Sequence, residues 1–534
     1  MPDPLADGTI ARAAPAAWET HLGGEVDDRL LAALGAGSLA AAFHETADAR
    51  PDPPALTIDG ASASHGDLDD RAAGVAGWLR THGVEPGDRV LLCAPNSLAL
   101  VVAYLATLRL GATAVPLAPT LTGPELAGIA EIAEPVAAFA DADALAALRT
   151  LSADRWPVVA LADDPGPSLA EAEATAERLA PAEVPGSATA VLAFTSGTTG
   201  RPKGVPLSHT NLLSSIRAAM LAWRWNAEDV LLHALPLSHQ HGLGGVHATL
   251  LAGSRAVIHA GFDAARLAAD VEDERATVLF AVPAIYQRLV GTDGVGPSAF
   301  ASLRLGISGS APLSPSLFDR VATLLGREPL ERYGTTESGL DTSNPYAVSA
   351  RPGSVGLPLP GVSMAIADPD GVPLGSGSDG EIVFRGPQVF TGYTDDAETT
   401  TAFHPGGWFR TGDIGRVDPR DGFLTITGRS KEVIITGGLN VYPREVELAL
   451  ETHADVSAAA VVGVASERWG EEVVAFVVTE PGRAPNGDGL VAFARGRLAA
   501  YKCPKRVIAI GELPVNAIGK LDRERLRELA GGVG

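Results

Sequence analysis

Val90-Leu91-Leu92-Cys93, an apolar run over residues 97–110, and then Ala114-Val115 form the stretch on which the fold turns. The first short apolar run reads as a buried strand, the longer one as a helix, and the last as a second strand. Strand, helix, strand is a β-α-β unit, which requires a parallel sheet with a crossover helix. Upstream, residues 55–58, Asp59-Gly60 and a second short run read as a hairpin, because Asp-Gly supplies the positive φ angles of a tight turn. Leu68, Ala72, Val75 and Leu79 then recur at helical spacing, and Gly83 stands where that helix would stop.

Downstream the alternation returns at 255–259, 278–282 and 303–308, so one large body extends to about residue 428. Beyond Gly428 the chain has its own strands (458–464, 473–478) and helices (444–452, 489–500), enough for a small α+β domain. The expected fold class is α/β, with parallel βαβ units in a large multi-sheet N-terminal domain, 1–428, and a small α+β C-terminal domain, 429–534.

Composition narrows the function by exclusion. The chain has 534 residues, 46% hydrophobic and 20% charged, which is the make-up of a folded globular protein. Its formal charge of −23 repels nucleic-acid phosphates, so nucleic-acid binding is set aside. Only Cys93 and Cys503 occur, too few for a disulfide framework. The start lacks a basic, then apolar, secretory signal, and the most apolar run, 98–108, is too short to span a bilayer. A soluble cytoplasmic protein is expected.

Three segments carry chemistry. Phe194-Thr195-Ser196-Gly197-Thr198-Thr199-Gly200-Arg201-Pro202-Lys203-Gly204 puts glycines, hydroxyls and cations into one loop that can wrap a polyphosphate. It lacks the GxxxxGK[ST] spacing of a Walker loop. Glu331-Arg332-Tyr333-Gly334-Thr335-Thr336-Glu337-Ser338 sets an aromatic, hydroxyls and a carboxylate side by side, where Glu337 suits Mg²⁺. Gly406-Gly407-Trp408-Phe409-Arg410-Thr411-Gly412-Asp413 offers Asp413 to ribose hydroxyls. Read singly, each also fits a polar surface turn.

Together with Gly428-Arg429-Ser430-Lys431-Glu432, residues 437–447 and Pro514-Val515-Asn516-Ala517-Ile518-Gly519-Lys520, they resemble the adenylate-forming superfamily of acyl-CoA synthetases, luciferases and peptide-synthetase adenylation domains. The resemblance spans nearly the whole chain. It implies an acyl-CoA ligase that uses ATP and Mg²⁺ to make an acyl-AMP from a carboxylic acid and then passes the acyl group to coenzyme A. The mobile small domain would turn about a hinge near Lys431 between the two half-reactions.

By this resemblance, Thr195, Ser196, Gly197, Thr198, Thr199 and Lys203 would hold the outer phosphates. Gly309, Ser310, Ala311 and Pro312 would line the adenine, with Tyr333 over its face and Gly334 and Thr335 beside it. Thr336 would meet the α-phosphate, Glu337 the metal, and Asp413 and Arg429 the ribose. Lys520 would stabilise adenylation, His239 would sit by the reacting carboxylate, and Gly437 and Gly438 would border the thiol tunnel. His233, His241 and His247 read as structural. Carrier-protein loading, malonyl-CoA synthesis, a single half-reaction and a luciferase-like oxygenase stay open as alternatives, and so does a homodimer.

The acid is read from two opposed signals. Stretches such as 307–313 and 342–346 look like those of malonyl-CoA synthetases, in which the equivalent of Arg288 is a candidate partner for a second carboxylate. Many relatives with apolar acids carry a similar Arg, which suits a helix end equally. Against a small diacid, Ser238 and Gly244 stand where that group has bulky residues, on a wall with Gly242 and Gly245. Space so vacated needs filling. The expected acid is therefore bulky and apolar, such as an intermediate of specialised metabolism.

Overall fold

The computed structural model describes residues 10–24, 26–162, 166–196, 202–437, 439–466, 468–480, 482–483, 486–515 and 521–531. Strands Arg89–Cys93 and Thr113–Leu117 are parallel neighbours, and helix Leu98–Arg109 makes the crossover. Ser97 starts that helix by accepting a hydrogen bond from the Leu100 amide. Its residues are apolar on every side, so it must be covered on every side. It lies between two sheets, touching strands of both, with helix His65–Thr81 alongside.

The first of these sheets has six strands, in the order Val158–Ala160, Ala137–Ala140, Arg89–Cys93, Thr113–Leu117, Thr189–Ser196, Pro202–Ser208. Its last two strands are antiparallel neighbours, with Ser196 opposite Pro202. Thr195, Ser196, Lys203 and Gly204, read from sequence as loop, are thus strand residues.

The second sheet has nine strands. At its centre Leu330–Tyr333, Leu305–Ser308, Val278–Ala281, Val230–His233, Arg255–Ile258 and Pro54–Ile58 run parallel in that order. Pro54–Ile58 turns back into Ala61–Ser64 through Asp59 and Gly60, both at positive φ, as the Asp-Gly pair suggests.

A third, antiparallel sheet contains Ser363–Ala367, Gly380–Arg385, Trp408–Val417, Phe403–His404 and Leu424–Arg429. The single turn Ser430–Glu432 follows, and Ile434–Thr436 opens a fourth sheet built on the long hairpin Val456–Ser466 with Gly470–Thr479. Helices Pro443–Glu451, Gly487–Arg495 and Arg523–Gly531 belong to this small α+β part. The helix expected over 489–500 stops at Arg495, because Gly496 takes the cap position.

Candidate active site

Parallel strands all end on one edge of their sheet, and ligands bind at the carboxyl edge. Here three loops leave that edge: 234–239 after Val230–His233, 309–314 after Leu305–Ser308, and 334–341 after Leu330–Tyr333. The sheet therefore brings the adenine segment, the Tyr333–Glu337 segment and the acyl segment together. Ser310, Ala311 and Pro312 are exposed there. Gly309 fits only because it has no side chain, since a Cβ would lie 2.5 Å from Arg332 Nε.

The turn after Tyr333 is braced from below. Gly334 abuts the chain, as a Cβ would stand 1.8 Å from the Gly339 carbonyl. Thr335 Oγ1 and Ser338 Oγ are 2.9 Å apart, Ser338 donates to Asp341, and Gln388 Nε2 donates to the other Asp341 oxygen at 3.1 Å. Burial pushes the Asp341 carboxyl up to about 7. Gln240 Nε2 donates to the Thr336 carbonyl at 3.2 Å, tying the start of helix Gln240–Ala252 to this turn.

Glu337 accepts from the Tyr393 hydroxyl at 2.9 Å through Oε1. Lys203 Nζ lies 5.2 Å from the Tyr393 ring centre and 2.8 Å from Glu398 Oε1. The segment 390–399 thus joins the lysine of the phosphate hairpin to the carboxylate expected to hold metal. Mg²⁺ keeps waters and phosphate oxygens and asks for only one or two carboxylates. Glu337, with Oε2 engaged by no described residue, fits that demand, and no cluster of three or more His, Cys, Asp or Glu offers a metal cage among the described residues.

Asp413 is a buried strand residue, not a solvated turn. It sits opposite Arg429, whose Nε is 2.9 Å from Asp413 Oδ1, and Tyr333 donates to Oδ2 at 2.6 Å. Three residues expected around the nucleoside are therefore one hydrogen-bonded group.

On the acyl side His239 is exposed at the N-cap of helix Gln240–Ala252. The three glycines of that helix differ. A Cβ on Gly242 would meet the Pro236 carbonyl at 2.4 Å and one on Gly245 would meet Leu231 at 2.8 Å, so both are packing positions rather than pocket wall. Gly244 alone has room for a Cβ, which would make ordinary contact with Ile216 at 3.8 Å. Ser238 Oγ is buried without a partner beside an apolar cavity lined by Leu92, Val101, Tyr104, Leu117, Leu237 and Leu243.

Arg288 is exposed in the last turn of helix Pro283–Val290, its guanidinium 4.6 Å from the Phe262 ring centre. The macrodipole and the ring favour it there as a helix-end cation. His233 and His247 are buried, and His247 meets the Tyr104 hydroxyl at 2.7 Å. His241, read as structural, has a buried Nε2 without a partner. Lys431 is exposed in the turn between the third and fourth sheets, and Gly437 lies against Trp469. Gly197, Thr198, Thr199, Gly438 and Lys520 lie outside the described residues, as does the side chain of Ser196.

A family model described as AMP-binding enzyme matches residues 43–394, and one described as AMP-binding enzyme C-terminal domain matches 445–520. The chain belongs to the AMP-binding enzyme family. It is 36% identical to a feruloyl-CoA synthase of Amycolatopsis sp, over 90% of this chain and 96% of that protein. It is 35% identical to an oxalate–CoA ligase of Arabidopsis thaliana, over 91% and 97%. Its fold is similar to that of ATP-bound MatB from Rhodopseudomonas palustris, with a TM-score of 0.86, 38% identity, and 92% and 98% of the two chains covered. It is an adenylate-forming acyl-CoA ligase, an acid–thiol ligase by reaction.

Within this family site, sequence reading missed Arg332, Asp341 and Tyr393. Asp341 and Tyr393 act through contacts between segments distant in sequence. Arg332 carried a usable signal: it is a cation inside a strand that also contains Leu330 and Tyr333.

Proposed function

We propose that this ligase joins its acid to AMP and then to the thiol of coenzyme A, and that the acid has an apolar body larger than malonate. The observation that carries the reading is the Gln240–Thr336 hydrogen bond, which sets the helix start bearing His239 beside the turn bearing Thr336 and Glu337. A carboxylate lying by His239 would there meet the α-phosphate held at Thr336. Lys203 with the 197–199 loop would grip the outer phosphates, and Asp413 with Arg429 the ribose. Glu337 would hold Mg²⁺, which when bound draws charge from the phosphates. Positioning and charge stabilisation supply the catalysis. The small domain, turning near Lys431, would bring Lys520 for the first half-reaction and the Gly437-Gly438 tunnel for the second.

The two named relatives differ in the acid, a feruloyl group against oxalate, at nearly equal identity, so likeness alone does not choose. The lack of a side chain at Gly244, where a Cβ would meet only Ile216 at 3.8 Å, supports the larger body. The test is single-turnover kinetics of Lys520→Ala. Adenylate formation from acid and ATP should fall by on the order of a hundredfold or more, while thioester formation from a synthetic adenylate and coenzyme A persists. Equal loss of both halves would overturn the assignment.

A further inference from the structure

We propose that Arg332 and His241 form a receptor for a second carboxylate, so that the acid taken by this ligase is a dicarboxylate with an apolar body. The proposal rests on the ligase reading above and names its substrate class.

Sheet register brings the two side chains together. Phe280 pairs with His233 on one side and Ile307 on the other, and Ile307 pairs with Leu330. Paired residues share a face, and Arg332, two residues after Leu330, shares it too. Helix Gln240–Ala252 covers this face, with Gly245 over Leu231 and the His241 ring centre 5.3 Å from that of Phe280. Arg332 and His241 therefore meet at the carboxyl edge of the sheet. Gly309 closes over the guanidinium, and Ser310 Oγ lies 3.2 Å from His241 Nδ1.

Neither side chain uses its full bonding capacity. Arg332 is 8% exposed and forms no hydrogen bond or ion pair with any described residue, and its Nε is buried and unpartnered. His241 Nε2 is buried and unpartnered as well. A buried donor left without a partner is destabilising, and more so when charged. Asp341 is the nearest counter-charge, but its oxygens accept from Ser338 and Gln388, and burial favours its neutral form. Burial and the neighbouring Arg332 hold His241 well below the usual imidazole range, so it is neutral and adds a donor without adding repulsion. A planar guanidinium fork beside an imidazole N–H is the donor set a carboxylate accepts from in bidentate fashion. Arg288, the other candidate cation, is already held in solvent over Phe262.

The opposed sequence signals are then reconciled, because a diacid needs the buried cation at its end while the wall at Gly244, which carries no side chain, meets its apolar middle. The test compares acids matched except at the far end: suberate against octanoate, and terephthalate against para-toluate. Binding is read by calorimetry with a non-hydrolysable ATP analogue present, and adenylation by pyrophosphate–ATP exchange. Each diacid should bind the native enzyme on the order of 10- to 100-fold more tightly than its partner, and Arg332→Met should invert that ratio. His241→Gln should weaken diacid binding less. If Arg332→Met does not fold, Arg332→Lys keeps the charge without the fork and should cut the ratio at least severalfold. No diacid binding to the native enzyme, a preference for the monoacids, or a ratio unmoved by the Arg332 variants would overturn the proposal. Exchange supported by the monoacids alone would leave the ligase reading standing while removing this one.

Discussion

The arginines of the small C-terminal part and Arg332 of the large sheet meet different surroundings. In the small part, Arg444 Nη2 lies 3.1 Å from Glu451, and Arg523 reaches Glu432 and Glu447 at 2.8 Å each and the Val461 carbonyl at 2.7 Å. Those glutamates also accept backbone N–H groups from Val461 and Ala459. At the carboxyl edge of the large sheet, Arg332 is equally buried and makes none of these bonds. A satisfied buried charge fixes the packing of its own domain, whereas an unsatisfied one at a ligand edge is held by the fold for something that arrives.

The largest expected effect separates the two. Arg523→Met strips counter-charge from Glu432 and Glu447 and should cost about 3–5 kcal/mol of unfolding free energy in the small domain. Hydrogen exchange of the amides in strands Val456–Ser466 and Gly470–Thr479, followed across a denaturant titration, reports this unit. Arg332→Met should shift stability by only about 1 kcal/mol, because the lost cation made no hydrogen bond. Equal destabilisation by both variants would erase the distinction.

The next effect is on pH. Burial raises Asp341 from an ordinary value of 3.8 to about 7, and Glu331, which accepts from the Leu313 and Gly353 amides, also to about 7. As pH rises through that window, the unfolded chain releases these protons while the native one keeps them. Their contribution to stability therefore falls from about pH 4 to about pH 7 and then levels, while that of His21, His209, His233 and His247, lowered by burial, rises over the same window. Asp341→Asn should recover about 4 kcal/mol of the carboxylates' fall, read as the change between the two ends in the gap separating its unfolding free energy from that of the native protein. Glu331→Gln should remove most of the remainder. Variant and native curves separated by the same gap at both ends would place both carboxylates in wetter surroundings than the fold gives them.

What was legible in the sequence followed from local pattern. The β-α-β unit at 89–117 is written in runs of apolar residues, and Asp59-Gly60 in the turn it forms. The segments expected at phosphate, nucleoside and acid were picked out because their residue types and order match a family. What was not legible came from tertiary pairing. Arg288 and Arg332 look alike in one dimension, and only the sheet and its covering helix make one a solvated helix end and the other a buried donor. His241 was read as structural because nothing near it in sequence shows that its Nε2 faces no partner. Asp413 looked like a turn residue until Trp408–Val417 paired with Leu424–Arg429 and buried it.

The smallest effect tests the contrast within one helix. Gly242 and Gly244 share helix Gln240–Ala252, yet a Cβ on the first meets two backbone carbonyls, of Pro236 at 2.4 Å and Leu235 at 2.9 Å, while on the second it meets only Ile216 at 3.8 Å. Backbone cannot swing aside as a side chain can. Gly242→Ala should therefore destabilise by about 1–3 kcal/mol. Gly244→Ala should be neutral or gain up to about 1 kcal/mol from helix propensity, and the larger Gly244→Phe should be tolerated by the fold while filling the space that an acid would use. In thermal melts Gly242→Ala would then fall below the native protein and Gly244→Phe would stay near it. In exchange assays Gly244→Phe should raise KM for branched or ring-bearing acids severalfold and spare short ones. If Gly244→Phe melts as low as Gly242→Ala, the space beside Ile216 is closed in solution and the body of the acid must lie elsewhere.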